Sequence, residues 1–234
     1  MKLFALIMML ALAGCATPYN RKDPLEPLNR KIYQFNDTVD KAVIKPVAKG
    51  YESAVPLFMR VMIGDFFSNL DDVVVFVNDI LQLKGVQAVS DAGRVFLNST
   101  IGFAGLVDVA TPAGYPKHNE DFGQTLGHWG VASGPYLVLP FLGPSDFRDG
   151  LGTVVDWQFY PLYRTTDVAR RNSLTVLNGV DKRADLLNTE NIMMQAALDP
   201  YLFIRDAYLQ HRRSLVYDGN PPMEDEGDDP SDEK

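Results

Sequence analysis

Glycines at 123, 127, 130, 134, 143 and 150 and prolines at 135, 140 and 144 punctuate one run, Asn119 to Gly150, which contains no lysine. Each glycine costs ~1 kcal/mol in a helix interior, so a stable long helix is denied and the run reads as a loop or hairpin. Its middle, Tyr136-Leu137-Val138-Leu139-Pro140-Phe141-Leu142, is apolar. Such a stretch is too short to span a bilayer and too apolar for an ordinary exposed loop. It must pack inside protein, line a cavity or sit in lipid, held there by the flanking segments.

Those segments have enough apolar material, 46% of 234 residues, for one domain with a sizeable core. The net charge of −8 is unevenly placed: residues 218–234 hold eight acids and one base and carry all but one of the net negative charges. The body is close to neutral, so no basic face for nucleic acid is implied. The tail from 218 to 234 lacks apolar periodicity and is expected to be disordered.

At the other end, Lys2, the apolar run Leu3 to Ala13, and Gly14 have the form of a secretory signal. Eleven apolar residues make only ~16 Å of helix, about half a bilayer's hydrocarbon core, which disfavours a spanning segment. Cys15 is the single cysteine, so no internal disulfide can form. Leu12-Ala13-Gly14-Cys15 resembles a bacterial lipobox, in which the cysteine is acylated and becomes the first mature residue. The plain alternative is a signal peptide with a chance cysteine. In lipoproteins of Gram-negative bacteria an aspartate after the cysteine often signals inner-membrane retention, and Ala16 and Thr17 here favour the outer membrane. One acyl chain anchors marginally and two or more anchor stably. This divides the N-terminus into a signal peptide, 1–14, and a lipidated linker, 15–22.

From residue 23 the dominant pattern is helical. Asp23-Pro24-Leu25-Glu26 reads as a capping box with Pro24 at the first helical position. Leu28, Ile32, Phe35 and Val39 follow as an apolar stripe. Pro46 and Pro56 bracket a short connecting piece. Phe66, Leu70, Val73, Val74, Val77, Ile80 and Leu81 keep a helical period from Met59 to Leu83, which outweighs the strand propensity of Val73 to Val77. Another helix carries Val86, Val89, Phe96 and Leu97. After Gly150 comes an aromatic band, Trp157, Phe159, Tyr160 and Tyr163, of the kind found both in cores and where an apolar slab meets water. Asp167 can cap a helix bearing Leu177, Val180, Ala184 and Leu187. A helix from about Glu190 stops at Asp199-Pro200, which caps the next.

DFGQTLGHWGV and GPYLVLPFLGPSDFRDG in the central run, DPLEPLNRKIYQFND near the start and DPYLFIRDAYLQHRR near the end together resemble the MlaA family, also called VacJ. The resemblance covers about Asp23 to Tyr217, with Pro27 where the family commonly has glycine. It implies a mainly α, ring-like single domain of amphipathic, interfacial helices over 23–217, with the Gly/Pro-rich run as a central loop or hairpin. It further implies an outer-membrane lipoprotein that is not an enzyme and needs no cofactor. The ring would lie in the inner leaflet, where a polar channel removes phospholipids from the outer leaflet. The lipid would pass to a soluble periplasmic carrier, and a trimeric porin would be the membrane partner. A porin-bound scaffold that moves no lipid is the second class of reading.

Within that frame Gly134 to Asp149, with Gly143 between them, is the expected gate or wall of the channel. His128 and Arg148 are its candidate phosphate contacts, and Tyr136 and Phe141 its apolar side. Arg148 has an equally good structural use, paired with Asp146 or Asp149.

Other chemistries find less support. His118-Asn119-Glu120 has the H-x-E form of a zinc deaminase, but the P-C-x-x-C partner is absent. His118, His128, Glu120 and Asp121 lack metal-ligand spacing, so no metal is expected. Gly143-Pro144-Ser145-Asp146-Phe147 misses the second glycine of a serine-hydrolase elbow. Gly150-Leu151-Gly152 lacks the third glycine of a dinucleotide fingerprint.

Overall fold

A computed structural model describes residues 23–187, 189 and 198–222. The signal segment, Cys15 and its linker, the helix expected from Glu190 and most of the acidic tail lie outside the described residues.

Helix α1 spans Glu26–Val39 and α2 spans Lys45–Ala54, joined without a break by a π turn over Asp40–Ile44. The joint sits where Pro46 cannot donate to the carbonyl four residues back, so the ladder widens there and continues. The piece between Pro46 and Pro56 is therefore helical and not a connector. The start of α1 also differs from the capping box: Leu25 occupies the cap position and no side chain caps the helix. Asp23 is instead fully buried, accepting hydrogen bonds from Asn29 (2.8 Å) and from the hydroxyl of Tyr201. A long-range network takes the carboxylate that a local cap would have used.

Helix α3, Leu57–Leu81, has the helical period read across Val73 to Val77. A tight turn with Leu83 in the left-handed region (φ 61°) sends the chain back into α4, Gly85–Thr100. The central run folds as α5, Phe122–His128, then strands β1, Tyr136–Leu139, and β2, Gly143–Asp146. The strands pair antiparallel with Tyr136 opposite Asp146 and Leu139 opposite Gly143. Helix α6, Phe147–Phe159, follows β2 directly. The run thus holds the expected hairpin, flanked by more helix than its glycines imply. Those glycines permit contact: a Cβ on Gly152 of α6 would sit 2.5 Å from the backbone nitrogen of Gly123 in α5. The cost of helical glycine is offset by a crossing that no larger residue allows.

A short 3₁₀ turn, Pro161–Arg164, leads to α7, Val168–Asp185, and the described chain resumes before α8, Pro200–Val216. The carboxylates of Asp146, Asp167 and Asp199 cap α6, α7 and α8 by accepting backbone N–H bonds of 2.7, 3.1 and 2.9 Å. The elements close a circuit. α1 packs on β1, β2 on α8, α8 on α5, α5 on α3, α3 on α7 and α7 on α2, which rejoins α1 through the π turn. The architecture is mainly helical and ring-like, as the resemblance implied.

Burial is inverted relative to an ordinary soluble domain. Among the described residues 19 buried side chains are polar or charged against 13 apolar ones, and the apolar clusters are small. In α4 the buried positions include Asp91, Arg94 and Asn98, while Val86 and Val89 are 91% and 73% exposed. Leu57, Phe58, Met59 and Val61 likewise project outward from the start of α3. The apolar stripes of these helices face away from the protein. No described helix is long and apolar enough to cross a membrane.

Candidate functional site

The polar residues turned inward form two linked systems. Between α3 and α4, Arg94 is 1% exposed and its guanidinium meets Asp72 (3.2 Å), Asp108 (3.2 Å) and the carbonyl of Tyr115 (2.7 Å). Lys117 pairs with the same Asp72, and the His118 ring nitrogen Nδ1 lies 2.8 Å from Asp91. Burial, with Asp91 as hydrogen-bonded neighbour, pushes the Asp79 carboxyl up to about 8.

The second system lies where α5, α6 and α8 meet. Arg212 of α8 donates to both oxygens of Asp121 (2.5 and 2.9 Å), and its Nε lies 2.5 Å from Asp149. Tyr208 donates to Asp149 at 2.7 Å, and Arg148 donates to it at 3.1 Å. Burial alone would raise Asp121, but the Arg212 pairing outweighs it and holds the carboxyl below its usual range. The Gly152–Gly123 crossing brings these acids within one arginine's reach. A Cβ on Gly123 would lie 2.4 Å from an Asp149 oxygen.

These systems flank a cavity of about 530 Å³. It is faced by Asp71 of α3, by Asn119, Glu120 and Asp121 ahead of α5, and by Gln124. Thr153 and Asp156 of α6, Tyr160 at its C-terminal end, Asn178 and Lys182 of α7 and His211 of α8 continue the lining, and Val74, Val75, Trp157, Tyr163 and Leu215 supply its apolar part. Asp156 accepts from the backbone N–H of Phe122 (3.0 Å) and from Asn78 (3.0 Å). Burial pushes it up to about 6 against those bonds. Glu120 accepts from Gln82 (2.7 Å) and Lys84 (2.9 Å). The cavity can hold water and a polar group of moderate size, with acids in excess of bases.

The channel residues proposed from the sequence are absent from the lining of this cavity. Tyr136 is buried in a cluster with Val138 and Tyr201. Phe141 projects from the hairpin tip at φ 65° and packs edge-on against Phe35, with centroids 5.3 Å apart. Gly134 (φ 72°) and Gly143 (φ 87°) occupy conformations that favour glycine. Arg148 is 7% exposed and engaged with Asp149, with Asp146 at 3.8 Å and with the carbonyl of Val131 at 3.3 Å, which is the structural use open to it from the sequence. His128 is exposed against Trp129. Ser145 is buried and its hydroxyl donates to the carbonyl of Asp146 at 3.2 Å.

Sequence reading passed over Asp91, Arg94 and Asn98, and Asn69, Asp72 and Asp79. Asp91, Arg94 and Asn98 are three and four residues apart and Asn69, Asp72 and Asp79 three and seven, so each set marks a polar stripe on its helix, less conspicuous in the sequence than the apolar stripe beside it.

The family model for the MlaA lipoprotein matches residues 21–215. The chain belongs to the MlaA lipoprotein family. It is 36% identical over 216 residues to the intermembrane phospholipid transport system lipoprotein MlaA of Escherichia coli strain K12, covering 89% of this chain and 85% of that one. The MlaA of Haemophilus influenzae is 33% identical over 227 residues, covering 93% and 90%. A solved MlaA-like chain, reported as the structural basis for maintenance of bacterial outer membrane lipid asymmetry, superposes with a TM-score of 0.74 at 34% identity. It covers 84% of this chain, and all of the solved chain is matched.

Proposed function

We propose that this chain is an outer-membrane lipoprotein and a passive conduit for phospholipid. Held at the periplasmic leaflet by acylated Cys15, it removes mislocalised phospholipid from the outer leaflet and passes it to a soluble periplasmic carrier. That activity maintains lipid asymmetry. A trimeric porin is the proposed membrane partner, and the segment Gly134 to Asp149, with His128 nearby, is the proposed wall beside the route.

The inverted burial carries this reading. A phospholipid headgroup must pass a hydrocarbon layer ~30 Å thick, and desolvating its charge costs several kcal/mol. A ring with outward Val86, Phe58 and Phe103 suits acyl chains outside, while a cavity edged by Asp156, Gln124 and Lys182 keeps the headgroup solvated. The relatives named for intermembrane phospholipid transport support the same assignment.

The outward apolar surface would also serve a scaffold that only grips a porin. One experiment separates the two. Outer-leaflet phospholipid is measured in a strain lacking the gene, complemented with the natural chain, with Cys15→Ala, or with Thr153→Trp, which fills the cavity. A conduit requires the natural chain to lower outer-leaflet phospholipid and both variants to fail. Full complementation by a stably folded, membrane-bound Thr153→Trp would leave the scaffold.

A further inference from the structure

The cavity's polar groups divide into those already satisfied and those left over. Asp121 is held by Arg212, Glu120 by Gln82 and Lys84, and Asp71 by Lys182 at 3.3 Å. What remains is a set of acceptors. Gln124 is 2% exposed, and its amide nitrogen donates to the carbonyl of Asn119 and to Asp121, both at 3.1 Å. Those two bonds orient the amide and leave Oε1 as the free end, with no protein partner. Asn178 Oδ1 and the buried Tyr160 hydroxyl, in the same lining, have none either. Asp156 receives only Phe122 N–H and Asn78, although a carboxylate offers about four acceptor positions.

We infer that this cavity selects phospholipids whose headgroup ends in a primary ammonium. The inference rests on the conduit reading. A primary ammonium carries three N–H donors and one positive charge, matching Asp156 together with the unpartnered oxygens of Gln124, Asn178 and Tyr160. A trimethylammonium headgroup brings the charge without an N–H donor. A glycerol headgroup brings hydroxyl donors without a charge for the carboxylate. The cations of the lining are placed for the other half of a zwitterion: Lys182 is largely exposed and His211 is exposed, so a phosphate meets them at the rim while the ammonium lies deeper.

The test uses the full lipidated chain, extracted in mild detergent and equilibrated with equimolar phosphatidylethanolamine, phosphatidylglycerol and phosphatidylcholine. Retained lipid is then counted by class. The expected result is enrichment of phosphatidylethanolamine over phosphatidylcholine of about tenfold, the scale of a hydrogen bond to a charged group. In Tyr160→Phe/Asn178→Leu, checked for native helix content, the enrichment falls towards one. Retention of all three classes without preference overturns the inference and leaves the conduit standing. Retention of no lipid overturns the conduit reading itself. If free ethanolamine stabilises the chain against heating as strongly as the lipid does, the site belongs to a soluble amine and the lipid assignment fails.

Discussion

Asn29 hydrogen-bonds the backbone of β1 on both sides of its amide: Nδ2 donates to the carbonyl of Tyr136 at 3.0 Å and Oδ1 accepts the N–H of Val138 at 2.9 Å. Two turns along α1, Asn36 repeats the arrangement with the carbonyl of Leu139 and the N–H of Phe141, both at 2.9 Å. Two asparagines on one helix face thus satisfy the outer edge of the hairpin in place of a third strand. Replacing Asn29 by leucine keeps the volume and leaves two buried backbone groups unpaired. The expected loss is about 3 kcal/mol in unfolding free energy, against about 1 kcal/mol for Asn36→Leu, where solvent can substitute. Equal effects in a denaturant titration would count against this account of the hairpin.

Arg212 holds Asp121 and Asp149 together, and burial makes that arrangement costly to break. Arg212→Gln leaves half-buried Asp121 without its cation and buried Asp149 with Arg148 as its remaining cation, with an expected cost of about 3 kcal/mol. Arg212→Lys keeps the charge but loses the forked geometry that reaches both oxygens of Asp121, so it recovers only part of that loss. Thermal unfolding of the three proteins at one pH gives the ranking.

Stability should fall as pH rises from about 4 towards 8. Asp79 is pushed up to about 8, chiefly by burial, and Asp146 and Asp156 to about 6, again chiefly by burial. Each binds its proton more tightly folded than unfolded, where the carboxyl titrates near 3.9. Between those limits unfolding releases protons, so the stabilisation present at low pH is lost as pH passes the folded values. Asp79→Asn keeps a neutral group at every pH and should flatten the slope between pH 6 and 8. A slope unchanged in that variant would remove Asp79 from the explanation.

The outward apolar face makes a prediction about membrane contact that is independent of transport. With the anchor removed by Cys15→Ser, the body should still bind phospholipid vesicles. Phe58→Glu and Val86→Glu should each weaken that binding roughly tenfold, given about 1.5 to 3 kcal/mol for burying such a side chain. An exposed-site control such as Lys41→Glu, on the solvent side of an i,i+4 pair, would change it little. Sedimentation with vesicles reads all four.

The sequence alone determined what depends on neighbouring residues. Asp167 and Asp199-Pro200 announce helix starts because an N-cap needs only its own next turn. The long period from Phe66 to Leu81 survives a β-branched run, and glycines at 134 and 143 bracket the first strand of the hairpin because their backbones go left-handed. The family resemblance was legible for the same reason, in contiguous motifs. Tertiary structure decided which face of each helix points inward. Periodicity marks two faces without saying which solvent each meets, and in α4 the answer is Asp91, Arg94 and Asn98 inside and Val86 outside. It also decided that Asp23 leaves its cap for Asn29 and Tyr201, that Arg148 goes to Asp149, and that Gly123 meets Gly152. Each of those choices is a competition for a partner far away in the chain, and the winner exists only once the ring has closed.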